Sequence, residues 1–432
     1  MSTVPSLRPR PLHFAAFVMN TTGHIIQGTW RRPTARQADF NDLEHWVGLA
    51  RTLERGKFDA IFFADVVGLY APYRGDERKY FEAGLQVPSN DPSVLASAIA
   101  YTTEHLGIAF TASILQEHPF NFARRISTLD HASKGRIAWN IVTNCLPNAS
   151  RNFGLEGLTS HDERYAWADE YVDVTYKLWE GSWQEDALVQ DRVTGIHADF
   201  DKVHKINHEG PRYKVEGPHL VSPTPQRTPL LFQAGASEAA APSQPRTLRR
   251  SSSSRRTWTR PHGTPPTSAL ERPGTAASPR TSSSSRDCTS SPVPPRPRPG
   301  VRQPNLTSGS TTTASYRTCR APSASPRPAT LRDVAHYTAT NSRIVGTPEQ
   351  IADALARWQA VGVDGVNLVN AEIPGSYEEF VEHVAPVLQR RGLMQQEYAQ
   401  GSFRHKLFGR GDRLPERHPA ARYRGAFAPQ PA

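Results

Sequence analysis

Residues 51–65 read RTLERGKFDAIFFAD, and this run decides the fold class. Its first part closes an amphipathic helix. Leu43, Trp46, Val47, Ala50 and Leu53 recur at helical spacing, with Asn41 placed to cap the start and Gly56 to stop the end. Its second part, residues 58–64, is apolar on both alternating faces and too short for a helix, so it predicts a buried strand. Asp65 stands where that strand ends. A helix joining consecutive strands makes them parallel, because the chain must cross back before it can run the same way again.

The same alternation extends outward from this unit. Residues 12–18 (LHFAAFV), 108–114, 136–142 and 229–233 repeat the strand signal, and Asp91 with Pro92 opens a helix running through Ile99 to Glu104. Near the C-terminus, Thr347-Pro348-Glu349-Gln350 is a capping box. It leads a helix with Ile351, Leu355 and Trp358 on one face, a strand over 365–369 and a last helix over 380–388. Six strands are legible. No strand runs into a G-x-G-x-x-G turn, which argues against a dinucleotide-binding doubly wound sheet. Polar residues instead cluster at strand C-terminal ends: Asp65, Thr111 and Ser113, Asn140 and Thr143, and Gln233 through Ser237. A (β/α)8 barrel gathers such ends on one face, where its active site lies, so the expected fold is an α/β TIM barrel.

Composition divides the 432 residues into two populations. In residues 241–330, 63 of 90 positions are Ser, Arg, Pro or Thr, and that window holds 15 Arg, no Lys and only Glu271 and Asp287 as acids. It carries +13 of a total of +10, so the remainder is mildly acidic at −3. The basic balance of the whole chain therefore gives no ground for a nucleic-acid or membrane partner. Cys145, Cys288 and Cys319 have no metal-ligand spacing, and no apolar run approaches a membrane span; the expectation is a cytoplasmic protein without a metal.

Six ordered blocks are similar to one family: residues 51–65, TEHLGIAFTAS (103–113), TLDHASKGRIAWNIVT (128–143), RNFG followed by HDERY (161–165), QAGASEA (233–239) and VGTPEQIAD (345–353). The chain resembles the bacterial-luciferase-like flavin-dependent monooxygenases, in the branch of nitrilotriacetate monooxygenase component A and dibenzothiophene-sulfone monooxygenase. The resemblance covers residues from about 12 to 239 and resumes at about 329. It implies a luciferase-like TIM barrel that binds FMN as FMNH2 and uses O2 to oxygenate a small organic substrate. It also implies a separate NADH-dependent flavin reductase and a homo-oligomer. Asp65, Thr111, Ser113 and Asn140 then match positions along the isoalloxazine and ribityl chain, and His161, Tyr165 and Ser237 match positions around the phosphate. The spacing of His161 and Tyr165, i and i+4 on the first turn of a helix, turns both toward one side beside free backbone amides that favour a dianion. His24, in the loop after the first strand, is a candidate for the substrate side, with a surface histidine as the alternative. Cys145 reads as a packing residue. A deazaflavin-dependent reductase on the same barrel is the rival enzyme, and an Arg-rich nucleic-acid-binding arm is the rival of another class.

The window itself reads as a shifted reading frame. In a frame that starts at the third base of each codon, a Ser codon TCN contributes NTC, which is always Phe, Leu, Ile or Val, so Ser251–Ser254 and Ser282–Ser285 become apolar strand cores. Suitable third bases turn the stretch from Ser282 into VLVPGLYLVTGATEAEAR. A plain linker or a basic arm are the other readings. The organisation expected is then residues 1–239 as the first part of the barrel, 240–329 as the frameshifted segment replacing the strand six to strand seven region, 330–395 as the rest of the barrel, and 396–432 as a tail. Irregular coil or isolated helical turns over 241–330, unpaired edges on strands five and eight, and an impaired or inactive enzyme follow.

Overall fold

A computed structural model describes residues 10–26, 28–69, 77–144, 146–233, 287–292 and 343–428. Four strands follow the N-terminal alternation: β1 (His13–Met19), β2 (Ala60–Ala64), β3 (Gly107–Ser113) and β4 (Ile137–Val142). A two-residue ladder, β5 (His208–Glu209) with β6 (Lys214–Val215), stands apart as an antiparallel pair. Then come β7 (Leu230–Gln233), β8 (Asp287–Pro292), β9 (Arg343–Gly346) and β10 (Gly365–Val369). Eight strands form one sheet in the order β7-β4-β3-β2-β1-β10-β8-β9, and every neighbouring pair is parallel.

Strand alternation divides the apolar residues between two cores. Residues such as Phe14, Ile61, Phe63, Ile108, Phe110 and Trp139 face outward and meet the helices Leu43–Arg55, Leu95–Thr102, Pro119–Ala132 and His161–Tyr176. The inward set stacks in layers fixed by register: Phe17 is level with Phe62, Phe62 with Ala109, Ala109 with Ala138, and Ala138 with Leu230. One step toward the strand C-termini the layer turns polar, with Thr111 level with Asn140. The apolar layers thus form a floor under a polar mouth.

The opposite end of the sheet is plugged by the helix Phe403–Phe408. Phe403 and Leu407 are buried against Phe62 and Phe232, and Arg404 donates to the carbonyls of Thr228 (3.0 Å) and Pro229 (2.9 Å). Gly107 permits this approach, since a Cβ there would stand 2.7 Å from the Phe403 ring. The segment after residue 395 is therefore packed into the barrel's base rather than trailing from it.

Several expectations need correction. Asp42, not Asn41, caps the first helix, its carboxylate accepting from Glu44 N at 3.0 Å. The Asp91-Pro92 start makes a short 3-10 turn over Pro92–Val94 before the α-helix Leu95–Thr102, which stops short of Glu104. The last helix begins at Gly375 and passes through a π-helical turn at Phe380–Val384. Coil throughout 241–330 is overturned by β8, whose backbone pairs with β10 (Asn367 with Asp287, Leu368 with Cys288) and with β9. The edge of β10 presents unpaired backbone groups that any extended segment can satisfy, even one as polar as DCTSSP. Strand eight of the expected barrel, β10, is consequently paired on both sides, and among the described residues the sheet ends on β7 and β9. Two strands absent from the sequence reading, β8 and β9, complete the eight.

Candidate active site

The polar layer opens into a cleft of about 350 Å³ at the C-terminal ends of β2, β3, β4 and β7. Its walls bring together Asp65, Thr111, Ser113, His161 and Tyr165, five of the sites expected from sequence, with Gln116, Asn144 and Arg164 beside them and Val66, Ile141 and Leu146 as apolar surface. Asn140 supports this wall from the next strand. Its Nδ2 donates to Thr111 Oγ1 at 2.8 Å, and the threonine hydroxyl donates in turn to the Phe63 carbonyl at 3.0 Å.

At one end, Asp65 is held near Gln116, whose Nε2 lies 3.5 Å from the carboxylate while its Oε1 accepts from Ser113 N at 2.6 Å. Burial, helped by the nearby charge of Asp91, pushes the Asp65 carboxyl up to about 7. At the other end, the helix His161–Tyr176 is capped by Ser160, which accepts from Glu163 N at 3.3 Å. His161 and Tyr165 lie one turn apart with ring centroids 4.6 Å from each other, and Arg164 reaches the same cavity. Burial lowers the Arg164 guanidinium and raises the Tyr165 phenol. Arg164 Nη1 donates to the Thr159 carbonyl at 2.5 Å, while its Nε is buried with no hydrogen-bond partner. A helix N-terminus, a histidine, a phenol and an unsatisfied guanidinium nitrogen together fit an anionic group.

The structure does not bring His24 into this cleft. Its ring packs at a tilt against Phe17, centroids 4.8 Å apart, and it lines a separate small pocket with Gln37, Asn370 and Ile373, where burial lowers its pKa to about 3. Ser237 and Cys145 lie outside the described residues. Arg164 and Gln116 are the residues that sequence reasoning missed. Arg164 carried a usable signal, since it is i+3 from His161 on the same helical face; Gln116 sits in a loop with none.

The luciferase-like monooxygenase family model matches residues 19–245. The chain belongs to that family. A long-chain alkane monooxygenase of Geobacillus thermodenitrificans is 39% identical over 96% of this chain and 98% of its own length, and a solved long-chain alkane monooxygenase superposes with a TM-score of 0.76 at 33% identity, covering 96% of this chain and all of that one. The dimethyl-sulfide monooxygenase of Hyphomicrobium sulfonivorans is 40% identical over 95% of this chain and 93% of its own. A riboflavin lyase solved with modified FMN and riboflavin superposes at 0.74, 28% identical, over 96% of this chain and all of that one. The parallel sheet is thus the TIM barrel of luciferase-like monooxygenases, and the cleft occupies the face on which such barrels place chemistry. No helix among the described residues is long and apolar enough to cross a membrane.

Proposed function

We propose that the chain is the oxygenase of a two-component system, binding FMN in its reduced form in the 350 Å³ cleft and oxygenating a small organic substrate with O2. One observation carries this reading: apolar surface, the Thr111 hydroxyl held from behind by Asn140, and an anion-binding helix start meet in one cavity. Asp65, Thr111, Ser113 and Asn140 would hold the ring and ribityl chain, and His161, Arg164 and Tyr165 the phosphate, joined by Ser237. Bound reduced flavin supplies the two electrons that activate O2. The protein's own work is to orient the ring over the apolar floor, neutralise the phosphate and keep water from the reacting face. Reduced flavin would come from a separate NADH-dependent flavin reductase, and the chain would act as a cytoplasmic homo-oligomer.

Residues 240–329 fit this reading as out-of-frame sequence. Asp287–Pro292, the segment that enters the sheet as β8, can be read as LYLVTG in the third-base frame with suitable third bases, which suits a buried parallel strand as DCTSSP does not. On this reading the out-of-frame segment would not supply the wall and lid that the in-frame segment would build. Given reduced FMN and O2, the chain is expected to release hydrogen peroxide with little oxygenated product, whereas a chain restored to the third-base frame couples the two. Sequencing the DNA across codons 235–335 tests the frame directly, because stop codons in the third-base frame would refute it.

A further inference from the structure

Beside the cleft lies a second cavity of about 240 Å³, lined by Asp91, Ser93, Phe110, Glu117 and Arg125. The two cavities share Thr111 and Gln116 as walls. The second one is polar. Glu117 pairs with Arg125, whose Nε donates to it at 2.9 Å, and Asp91 accepts from Ser93 N at 2.8 Å. Gln116 therefore stands between a sheltered carboxyl, Asp65, and a polar, charged space of a size to hold several waters.

If the cleft binds reduced flavin as proposed above, its reaction has a proton to account for. At neutral pH the isoalloxazine of reduced FMN is a monoanion, apart from the charge of its phosphate, which the reaction leaves unchanged. Substrate, O2, the flavin monoanion and one proton give oxygenated substrate, oxidised FMN and water: the O–O bond breaks, one oxygen bonds to the substrate, the other leaves as water, and the flavin is oxidised by two electrons. One proton must enter for each turnover.

We propose that Asp65 is the group that takes up and delivers this proton, that the Asp91-lined cavity is the path by which it is replenished from solvent, and that Gln116 and Asp91 are its positioning residues. The geometry restricts the choice. Asp65 is the carboxyl on the cleft wall; the other titratable groups there, His161, Arg164 and Tyr165, belong to the anion-binding end. From the second cavity, Asp91, Glu117 and Arg125 face the dividing wall, with Glu117 and Arg125 neutralising each other. Asp91 is left as the charge that acts on Asp65, favouring its protonated form, while the Gln116 amide donates to the carboxylate and favours the ionised form. The two neighbours tune one group in opposite senses.

The test uses the full chain labelled with carboxyl-13C aspartate, the Asp65 resonance being the one lost in Asp65→Asn. Its titration midpoint should lie near neutrality, fall in Asp91→Asn by about one pH unit, and rise in Gln116→Glu by a similar amount. Asn at 91 can still accept from Ser93 N, and Glu at 116 can still accept from Ser113 N, so the local folds are retained; Gln116→Leu, which removes the donor without adding charge, should shift the midpoint the same way as Gln116→Glu. In a companion measurement, an indicator dye follows proton uptake as reduced FMN binds anaerobically at pH 8, with flavin absorbance reporting occupancy. Uptake should accompany binding in the parent chain and vanish in Asp65→Asn. An Asp65 midpoint in the ordinary carboxylate range, midpoints unmoved by the variants, or equal uptake in Asp65→Asn would overturn the inference. Absence of flavin binding would instead overturn the reading of the cleft, which occupancy reports separately.

Discussion

Asn140 and Thr111 sit level on adjacent strands, and the amide of one donates to the hydroxyl of the other at 2.8 Å. Because the Thr111 hydroxyl donates to the Phe63 carbonyl, the pair forms a fixed relay in which the hydroxyl has only a lone pair left to offer the cleft. That relay is the polar rim on which the rest of the site rests.

Replacing Thr111 by Val keeps the shape and removes both hydrogen bonds, leaving the buried Asn140 amide without this acceptor. Urea denaturation should show a loss of about 1–3 kcal/mol, and flavin affinity should fall with it. Thr111→Ser, which retains the hydroxyl, should restore most of both.

The anion-binding end makes a separate prediction. Histidine, guanidinium and phenol each reach the same cavity, so His161→Ala, Arg164→Ala and Tyr165→Phe should each weaken FMN binding by roughly 1.5–3 kcal/mol while leaving riboflavin binding nearly unchanged. Isothermal titration with the two ligands checks this. Equal losses for both ligands would remove the phosphate from that end.

Asp65 couples the site to stability. Folding raises its pKa to about 7, so the folded chain holds the proton more tightly than the unfolded one. The sign follows: the carboxyl is harmless in acid and increasingly destabilising as pH rises from the ordinary carboxylate value through about 7. Asp65→Asn should therefore stabilise the chain by roughly 1–3 kcal/mol at pH 8 and hardly at all at pH 4, as thermal unfolding at the two pH values will show.

At the base of the barrel, Gly107 and Phe403 are in contact so close that neither can change alone without cost. Phe403→Ala should destabilise by about 3–5 kcal/mol through the cavity it leaves, and Gly107→Ala by a clash with the ring. The double variant should lose less than the sum, because the new methyl enters the space the ring vacates; additivity in a double-mutant cycle would contradict the plug.

These residues also show what the sequence could tell. Apolar runs such as FDAIFFA and the capping box at Thr347 carry their own periodicity and chemistry, so β2, β10 and the helix Pro348–Ala360 are legible locally. The convergence of Asp65, Thr111, Ser113, His161 and Tyr165 was legible only through the resemblance and the rule that barrels gather strand ends. β8 escaped because DCTSSP carries no apolar alternation, and β9, which pairs with β8 and not with β10, because the four residues RIVG are too short a run to stand out. Gln116 escaped for a related reason: its place is set by a fold-back onto Ser113 N that no spacing announces. The plug at Phe403 looked like a tail because a six-residue helix has too short a period to reveal which face is buried.

The central claim is that the cleft holds reduced FMN by its phosphate. Anaerobic titration of the full chain and of the frame-restored chain with reduced FMN and with reduced riboflavin, read by tryptophan fluorescence, tests it most directly. The account predicts saturable binding with FMN at least about tenfold tighter than riboflavin in the frame-restored chain. No saturable signal from either chain, or equal affinity for the two flavins, would contradict it.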